Sequence, residues 1–290
     1  MTVKLIIHGG AGAREGDHAG AVAYDEAVRE VVAASYNVLA QDGARAAVVD
    51  AIRRMEDNPL FNAGTGSRLQ SDGAARMSAA LMDSANLSLS AIINIENVRN
   101  PITVVDALSG ARHPMLASDE AGDYARSIGV PEHDVVTQHR IDELNQGQRG
   151  KTGTVGAVAL DATGLLCAGT STGGVGNETP GRISDSATVA GTYVSASTGV
   201  SCTGIGEDIV NQAVAARLIT RVDDGLTLDA SAERTIAEGT AAGYQYGLIA
   251  LGADGRHYAG ETIGVTTVYA MMDEDGIETF LQTTAQMHPA

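Results

Sequence analysis

The sequence predicts a layered α+β fold, and three observations support that expectation. Short apolar runs of strand length recur along the chain, several of them facing each other across Gly-containing turns. Helical spacing comes in adjacent pairs, not after every strand. The order is therefore not strict βαβ alternation, which argues against a doubly wound parallel sheet. The chain has 290 residues, 44% of them hydrophobic, enough for a sizeable core.

Val3 to His8 reads as a buried strand ending in the turn His8-Gly9-Gly10-Ala11-Gly12. Tyr24 to Gln41 places Ala27, Val28, Val31, Val32, Val38 and Leu39 at helical spacing, with Gly43 as a stop. Arg45 to Asp57 predicts a second helix, apolar at Ala46, Val49 and Ile52 and charged at Arg53, Arg54 and Glu56. Leu69 to Met77 reads as a hairpin turning at Ser71-Asp72-Gly73. Ala79 to Asp83 and Leu87 to Ile95 follow as strands. Asn100-Pro101 opens a helix through Leu108, Asn as cap and Pro at the first position. Ala117 to Ile128 is a further helix, stopped by Gly129 and Pro131.

Thr137 to Gly153 is polar and reads as an exposed loop, the best candidate for a boundary or processing site. Thr154 to Asp161 and Leu165 to Thr170 form a hairpin around Ala162-Thr163-Gly164. A similar hairpin joins Tyr246 to Gly252 with His257 to Glu261. Helices at about Glu207 to Val222 and Leu228 to Ala237 lie between the two hairpins. The last strands are Gly264 to Met271 and Ile277 to Leu281.

Composition narrows the function. The formal net charge of -17 leaves no basic face for phosphate, so nucleic acid is not expected as a partner. Gly occurs 35 times without fixed period, beside 6 Pro and no Trp, which points to many tight turns and close backbone approaches. The N-terminal apolar run is too short for a secretory segment or a membrane span. Cys167 and Cys202 predict no disulfide framework, and a reducing cytoplasm is the expected setting, with both thiols buried and inert.

Thr154 lies where the polar loop meets a strand. If the chain is cut before it, its α-amine, pKa about 8, becomes a base within reach of its own hydroxyl. Read alone, Thr-Val-Gly is an ordinary strand start, since Thr is a good strand former. Gly169-Thr170-Ser171-Thr172-Gly173 fits the Gly-x-Ser-x-Gly elbow of α/β-hydrolases. An elbow must pass into a helix, however, and Gly173, Gly174, Gly176, Pro180 and Gly181 follow Ser171. The glycine turn at Gly9 lacks the full dinucleotide-binding pattern and its acidic ribose partner. No His/Cys cluster has zinc spacing, so no catalytic metal or other cofactor is expected.

Six motifs occur in order: the His8–Gly12 turn, Asn58-Pro59-Leu60-Phe61-Asn62-Ala63-Gly64, Gly153-Thr154-Val155-Gly156, Thr170-Ser171-Thr172-Gly173-Gly174, Gly181-Arg182-Ile183-Ser184-Asp185-Ser186, and Ser201-Cys202-Thr203-Gly204-Ile205-Gly206-Glu207. Together they resemble the plant-type asparaginase and isoaspartyl peptidase family of N-terminal-nucleophile hydrolases, over nearly the whole chain. The resemblance is closer to that branch than to glycosylasparaginase, because Gly153, not Asp, precedes the nucleophile.

The resemblance implies a single domain over residues 1–290, a four-layer αββα sandwich with two antiparallel sheets between helix layers. It implies self-cleavage between Gly153 and Thr154 into 1–153 and 154–290, and paired cleaved protomers. Glycine suits the scissile position because it tolerates strained dihedrals. The freed Thr154 would attack a β-aspartyl amide, of an isoaspartyl dipeptide or of L-asparagine, and pass through an acyl-enzyme. Thr172 would orient the nucleophile, and Thr203 with Gly204 would form the oxyanion site. Arg182 would clamp the substrate α-carboxylate with a guanidinium fork, and Asp185 would take the α-ammonium. Asn62 would support the nucleophile's amine and the substrate, and Gly206 would line the pocket. Main-chain carbonyls of Met55, Glu56, Asn58, Phe61, Ala63 and Thr65 would hold a structural sodium ion.

The chain departs from the family in its first half. Arg76-Met77-Ser78-Ala79 lacks the usual acidic residue and Asp, Ser84 replaces Gly, and Leu87-Ser88-Leu89-Ser90 replaces a Lys-Ala-Gly-like stretch. The loop before Thr154 is also shorter than common. Two alternatives stay open: an uncleaved, non-catalytic binding protein of the same fold, and a hydrolase based on Ser171. The acidic surface further predicts a preference for a cationic leaving group, such as the Arg of β-Asp-Arg.

Overall fold

The computed structural model describes residues 3–12, 18–147 and 153–282. Two sheets form its centre. Strand β1 (Lys4–Gly12) is fully buried and lies between β11 (Thr266–Asp273) and β5 (Val155–Leu160), antiparallel to both. The large sheet continues through β6 (Leu166–Thr172), β2 (Met77–Asp83), β3 (Ser90–Ile95) and β4 (Met115–Ala117), and β12 (Gly276–Thr279) closes its other edge. Every ladder is antiparallel except β3–β4. The small sheet has the order β10 (His257–Glu261), β9 (Tyr246–Gly252), β8 (Thr198–Gly204), β7 (Thr192–Val194).

The sheets face each other, with β8 and β9 packed on β1 and β5. Gly156 makes the close approach possible: a Cβ there would run into the Ser201 hydroxyl and the His8 ring. Helix α1 (His18–Glu56) covers the outer face of the large sheet across β1, β5, β6 and β11. It breaks at Gly43, φ 85°, where the sequence places a stop. Helix α2 (Pro101–Ala107) and helix α3 (Ser118–Ser127) extend that layer over β2 and β3. Helices α6 (Val214–Asp223) and α7 (Leu228–Ala241) cover the small sheet, and the short α5 (Gly206–Gln212) leads out of β8. The result is the four-layer αββα arrangement. Among the described residues, no helix is long and apolar enough to cross a membrane.

Several local expectations need correction. The supposed loop after Thr137 contains helix α4 (Gln138–Asn145). The Thr137 hydroxyl caps it by accepting the Arg140 N–H, and Arg140 is buried, donating through Nε to the Gly66 carbonyl at 2.6 Å. Gln148 to Thr152, the rest of that candidate processing loop, lie outside the described residues. Helix 207–222 is in fact two helices, because Ala213 adopts φ 51°. Asn100 stands at the N-cap of α2 but donates to Asp57, and the Glu56 carboxylate accepts the Ile102 N–H instead, at 3.0 Å. The Ser71–Gly73 turn forms, closed by Gln70 N–H to the Ala74 carbonyl, without flanking strands. The sequence does not predict strands β7 and β8: β8 is buried along its length but has Ser, Thr and Gly in place of aliphatic residues.

Candidate active site

Thr154 leads into β5 and is buried, at 6% exposure. The β5–β6 ladder pairs Val155 with Ser171 and so brings Thr172 beside the nucleophile candidate. The Thr154 and Thr172 hydroxyl oxygens are 2.9 Å apart. Thr172 Oγ1 also accepts the Gly174 N–H at 3.1 Å, so its own proton is available to Thr154. Gly173 leaves the room this needs, since a Cβ there would lie 2.6 Å from Asn62 Oδ1.

Asn62 serves this corner mainly through its backbone and its loop contacts. Its N–H donates to the Gly153 carbonyl at 3.1 Å, its carbonyl accepts the Gly173 N–H, and its side chain bridges Arg68 N–H and the Gly174 carbonyl. Gly153 is itself packed on this loop, where a Cβ would lie 2.6 Å from Asn62 Cβ. The carbonyl that precedes Thr154 is thus already polarised by a backbone N–H.

His8 makes a contact that sequence reasoning missed. Its Nδ1 is 3.1 Å from the Thr154 carbonyl, which only accepts, so Nδ1 carries the proton. Nε2 then accepts from the Ser201 hydroxyl at 2.9 Å. Burial pushes the imidazole pKa down to about 3 against the opposing bond to Thr154, so the ring is neutral. The available signal was a histidine ending the unbroken apolar strand Leu5-Ile6-Ile7.

Thr203 and Gly204 end β8. Thr203 Oγ1 accepts the Ala11 N–H at 3.1 Å, which leaves its hydroxyl proton free to donate. Gly204 has φ 142°, and a Cβ would lie 2.6 Å from the Gln245 carbonyl oxygen. Gly206 follows at the start of α5. A Cβ on Gly206 would sit 2.8 Å from Arg182 Nη2 and 2.9 Å from Asp185 Oδ1, so this glycine is where the guanidinium and the carboxylate converge.

Arg182 is not free. Its Nη1 donates to Glu178 Oε2 at 3.0 Å, and its Nε and Nη2 donate to the two oxygens of Glu207 at 2.7 and 2.8 Å. Glu178 is buried and held by Gln70 Nε2 and Val175 N–H. Asp185 accepts from the Ser184 hydroxyl, and its Oδ2 has no hydrogen-bond partner among the described residues. Burial pushes its pKa up to about 7, opposed by Ser184 and the Arg182 charge. A cavity of about 420 Å³, walled by Val175, Glu178, Arg182, Ile205 and Glu207 among others, opens beside this pair.

Ser171, the elbow candidate, faces the opposite way. Its hydroxyl donates to Glu56 at 2.7 Å, beneath α2, with no histidine in the arrangement. Glu56 is fully buried, and desolvation pushes its pKa up to about 8, against the bonds from Ser171 and Ile102. Both thiols are buried and free, and burial pushes their pKa values up.

The departures fall around the site rather than in it. Ser78 pairs with Thr172 across the β2–β6 ladder and accepts the Asn94 N–H. Ser84 Oγ accepts the Leu166 N–H at the start of β6, and the Ser88 N–H donates to Asn86 in the following turn.

Comparison with known proteins places the chain in a family. The family model described as asparaginase matches residues 1–281. The chain belongs to the asparaginase family. Within that asparaginase family it is 41% identical to an isoaspartyl peptidase/L-asparaginase of Synechocystis sp. over 285 residues, covering 91% of this chain and 86% of that protein. It is 35% identical to a plant-type L-asparaginase of Pyrococcus abyssi, over 98% of this chain and 94% of that one. The isoaspartyl peptidase of Escherichia coli is 34% identical, over 87% of each chain.

Proposed function

We propose that this asparaginase-family protein hydrolyses β-aspartyl amides, of isoaspartyl dipeptides or L-asparagine, with Thr154 as an N-terminal nucleophile released by self-cleavage. The observation that carries the reading is the Thr154–Thr172 hydroxyl pair beside a Gly153 carbonyl that already accepts the Asn62 N–H.

In the cleavage step Thr154 Oγ attacks the Gly153 carbonyl carbon, and the negative charge gathers on the oxygen facing the Asn62 N–H. The C–N bond breaks, the amine takes the hydroxyl proton, and water opens the resulting ester. Thr172 donates to one lone pair of Thr154 Oγ and so orients the other for attack, while neutral His8 fixes the Thr154 carbonyl.

In turnover the Thr154 amine accepts the hydroxyl proton, Oγ attacks the substrate amide carbon, and the oxyanion takes the Thr203 hydroxyl and the Gly204 N–H. The C–N bond then breaks as the Thr154 ammonium passes its proton to the departing ammonia or amino acid, and a water that gives its proton to the same amine opens the acyl-ester, releasing the carboxylate and restoring the Oγ hydroxyl. Arg182 receives the substrate α-carboxylate and Asp185, through the Oδ1 that borders the gap at Gly206, the α-ammonium. Thr203→Ala is expected to lower kcat by about 10²- to 10³-fold while Thr203→Ser restores most of it. Steady-state assays on L-asparagine and a β-aspartyl dipeptide check this.

Asp185 supplies a pH signature. Its carboxylate must be ionised to bind an ammonium, so kcat/KM falls as pH drops below about 7. The Thr154 amine, pKa about 8, adds a limb of the same direction. Asp185→Asn is expected to remove the lower limb and leave the upper one, read as kcat/KM against pH. The same shift has a stability consequence. The unfolded carboxyl ionises first, so folding loses stability as pH rises from about 4 to about 7, and Asp185→Asn should flatten that slope of Tm.

The Met55–Thr65 loop suits a structural sodium ion. The carbonyls of Met55, Glu56 and Asn58 each accept one backbone N–H and keep a second lone pair. With those of Phe61, Ala63 and Thr65 they offer only hard oxygen donors on a loop curled by Gly64, φ 56°. Bound there, the ion would brace the loop that carries Asn62. Cleaved protomers are expected to pair, which light scattering reads.

Intact mass of the aged protein tests the proposal. Fragments 1–153 and 154–290 together with β-aspartyl turnover support it. One unbroken chain that still turns over these substrates ends it, and one unbroken chain without turnover favours a non-catalytic binder.

A further inference from the structure

Arg182 has two forked edges; the end-on one is engaged at Nη1 by Glu178, which leaves the Nε–Nη2 edge as the one able to meet a carboxylate with both nitrogens. That face is taken: Glu207 binds it with two parallel hydrogen bonds of 2.7 and 2.8 Å, the geometry a free carboxylate would adopt. The two acidic neighbours of Arg182 differ sharply. The Glu178 side chain is 6% exposed and tied by Gln70 and Val175, so it is a fixed anchor on Nη1. The Glu207 side chain is 58% exposed, rises from the first turn of α5 at the cavity wall, and makes its hydrogen bonds to Arg182. Nη2 also borders the gap at Gly206 where Asp185 Oδ1 waits.

We propose that Glu207 is a specificity-determining competitor, a resident carboxylate that holds the recognition face of Arg182 until a substrate α-carboxylate displaces it. This rests on the reading of Arg182 as the substrate clamp. The exchange conserves Arg182 pairing: one bidentate carboxylate leaves and another arrives, while Glu178 stays. A ligand without a carboxylate beside its ammonium cannot make the exchange, because removing Glu207 would leave the guanidinium face empty. Glu207 therefore lowers affinity for true substrates modestly and excludes neutral and purely cationic amides more strongly. Displaced, it stands at the cavity wall as a free anion, where it faces solvent.

The test is Glu207→Gln in the full-length, matured protein. The expected result is a KM for L-asparagine and a Ki for L-aspartate that both fall, by about threefold to tenfold, the range for a partly exposed charged pair. With kcat held near its starting value, the change is one of binding. In an Arg182→Ala background, adding Glu207→Gln is expected to change neither constant. Glu207→Asp, one methylene too short to reach the guanidinium edge in full, is expected to fall between. An unchanged or raised KM and Ki in Glu207→Gln, with complete chain cleavage as evidence of folding, overturns the inference. Failure of the clamp reading is separate and shows as an unaltered KM in Arg182→Ala alone.

Discussion

Thr154→Ala leaves a single 29.7 kDa chain on a denaturing gel, however long the protein is aged, and abolishes β-aspartyl turnover. Both losses share one cause, since the same hydroxyl attacks first the Gly153 carbonyl and then the substrate. The expected drop in kcat is about 10⁴- to 10⁶-fold, the scale seen when a nucleophile is removed from a preorganised site. The fold is expected to persist, because the methyl-sized side chain only vacates the space facing Thr172. Thr154→Ser keeps the hydroxyl and is expected to cleave and to retain partial activity. Intact mass and a coupled ammonia assay read both variants. A cleaved Thr154→Ala protein would move the nucleophile elsewhere, and the whole mechanism with it.

Arg182→Ala has the second-largest effect, with the opposite signature. Cleavage goes to completion, because Arg182 makes no hydrogen bond to Gly153 or Thr154. kcat/KM falls by about 30- to 1000-fold, equivalent to about 2–4 kcal/mol for truncating one partner of a buried charged pair, and mostly through KM. Glu178 then stays buried without its guanidinium, so Tm is also expected to fall. Arg182→Lys keeps the charge but loses the fork and should lie between. Normal asparagine hydrolysis by Arg182→Ala would show that the α-carboxylate binds somewhere else.

Part of the site is legible in the amino-acid order alone. Thr154, Thr172, Arg182, Asp185, Thr203, Gly204 and Gly206 lie in short glycine-bounded motifs; in the fold Thr154 meets Thr172 across β5 and β6, and Arg182 and Asp185 converge on Gly206 just beyond β8. Their residue types announce themselves, because glycines at such density mark close backbone approaches. His8, Ser201, Glu178 and Glu207 are not legible as partners. A buried histidine on an apolar strand reads as packing until its neighbours are known, and His8 bonds residues 146 and 193 positions away. Asn62 is expected in the site, but its support runs through a main-chain N–H that no side-chain reasoning reveals.

Much of the secondary structure follows the same division. The break at Gly43 and the hairpin around Ala162–Gly164 are local events, set by a positive-φ glycine and a tight turn. Helix α4 is hidden because its anchor is tertiary: Arg140 is a charged residue that becomes buried only because the Gly66 carbonyl accepts from it. β8 is hidden because its Ser, Thr and Gly residues do not look like a buried strand.

The sequence by itself determined the layered α+β class, and through its family resemblance it pointed to Thr154 as the candidate nucleophile and to Arg182 and Asp185 as a candidate cation–anion pair. Those depend on periodicity and on residue chemistry, which travel with the chain. Only the tertiary structure decided which groups hold them. It set the neutral tautomer of His8, the N–H on the Gly153 carbonyl and the carboxylate already seated on Arg182. Such contacts join segments far apart along the chain, and their energies depend on distance and burial, quantities that exist only once the two sheets have closed on each other.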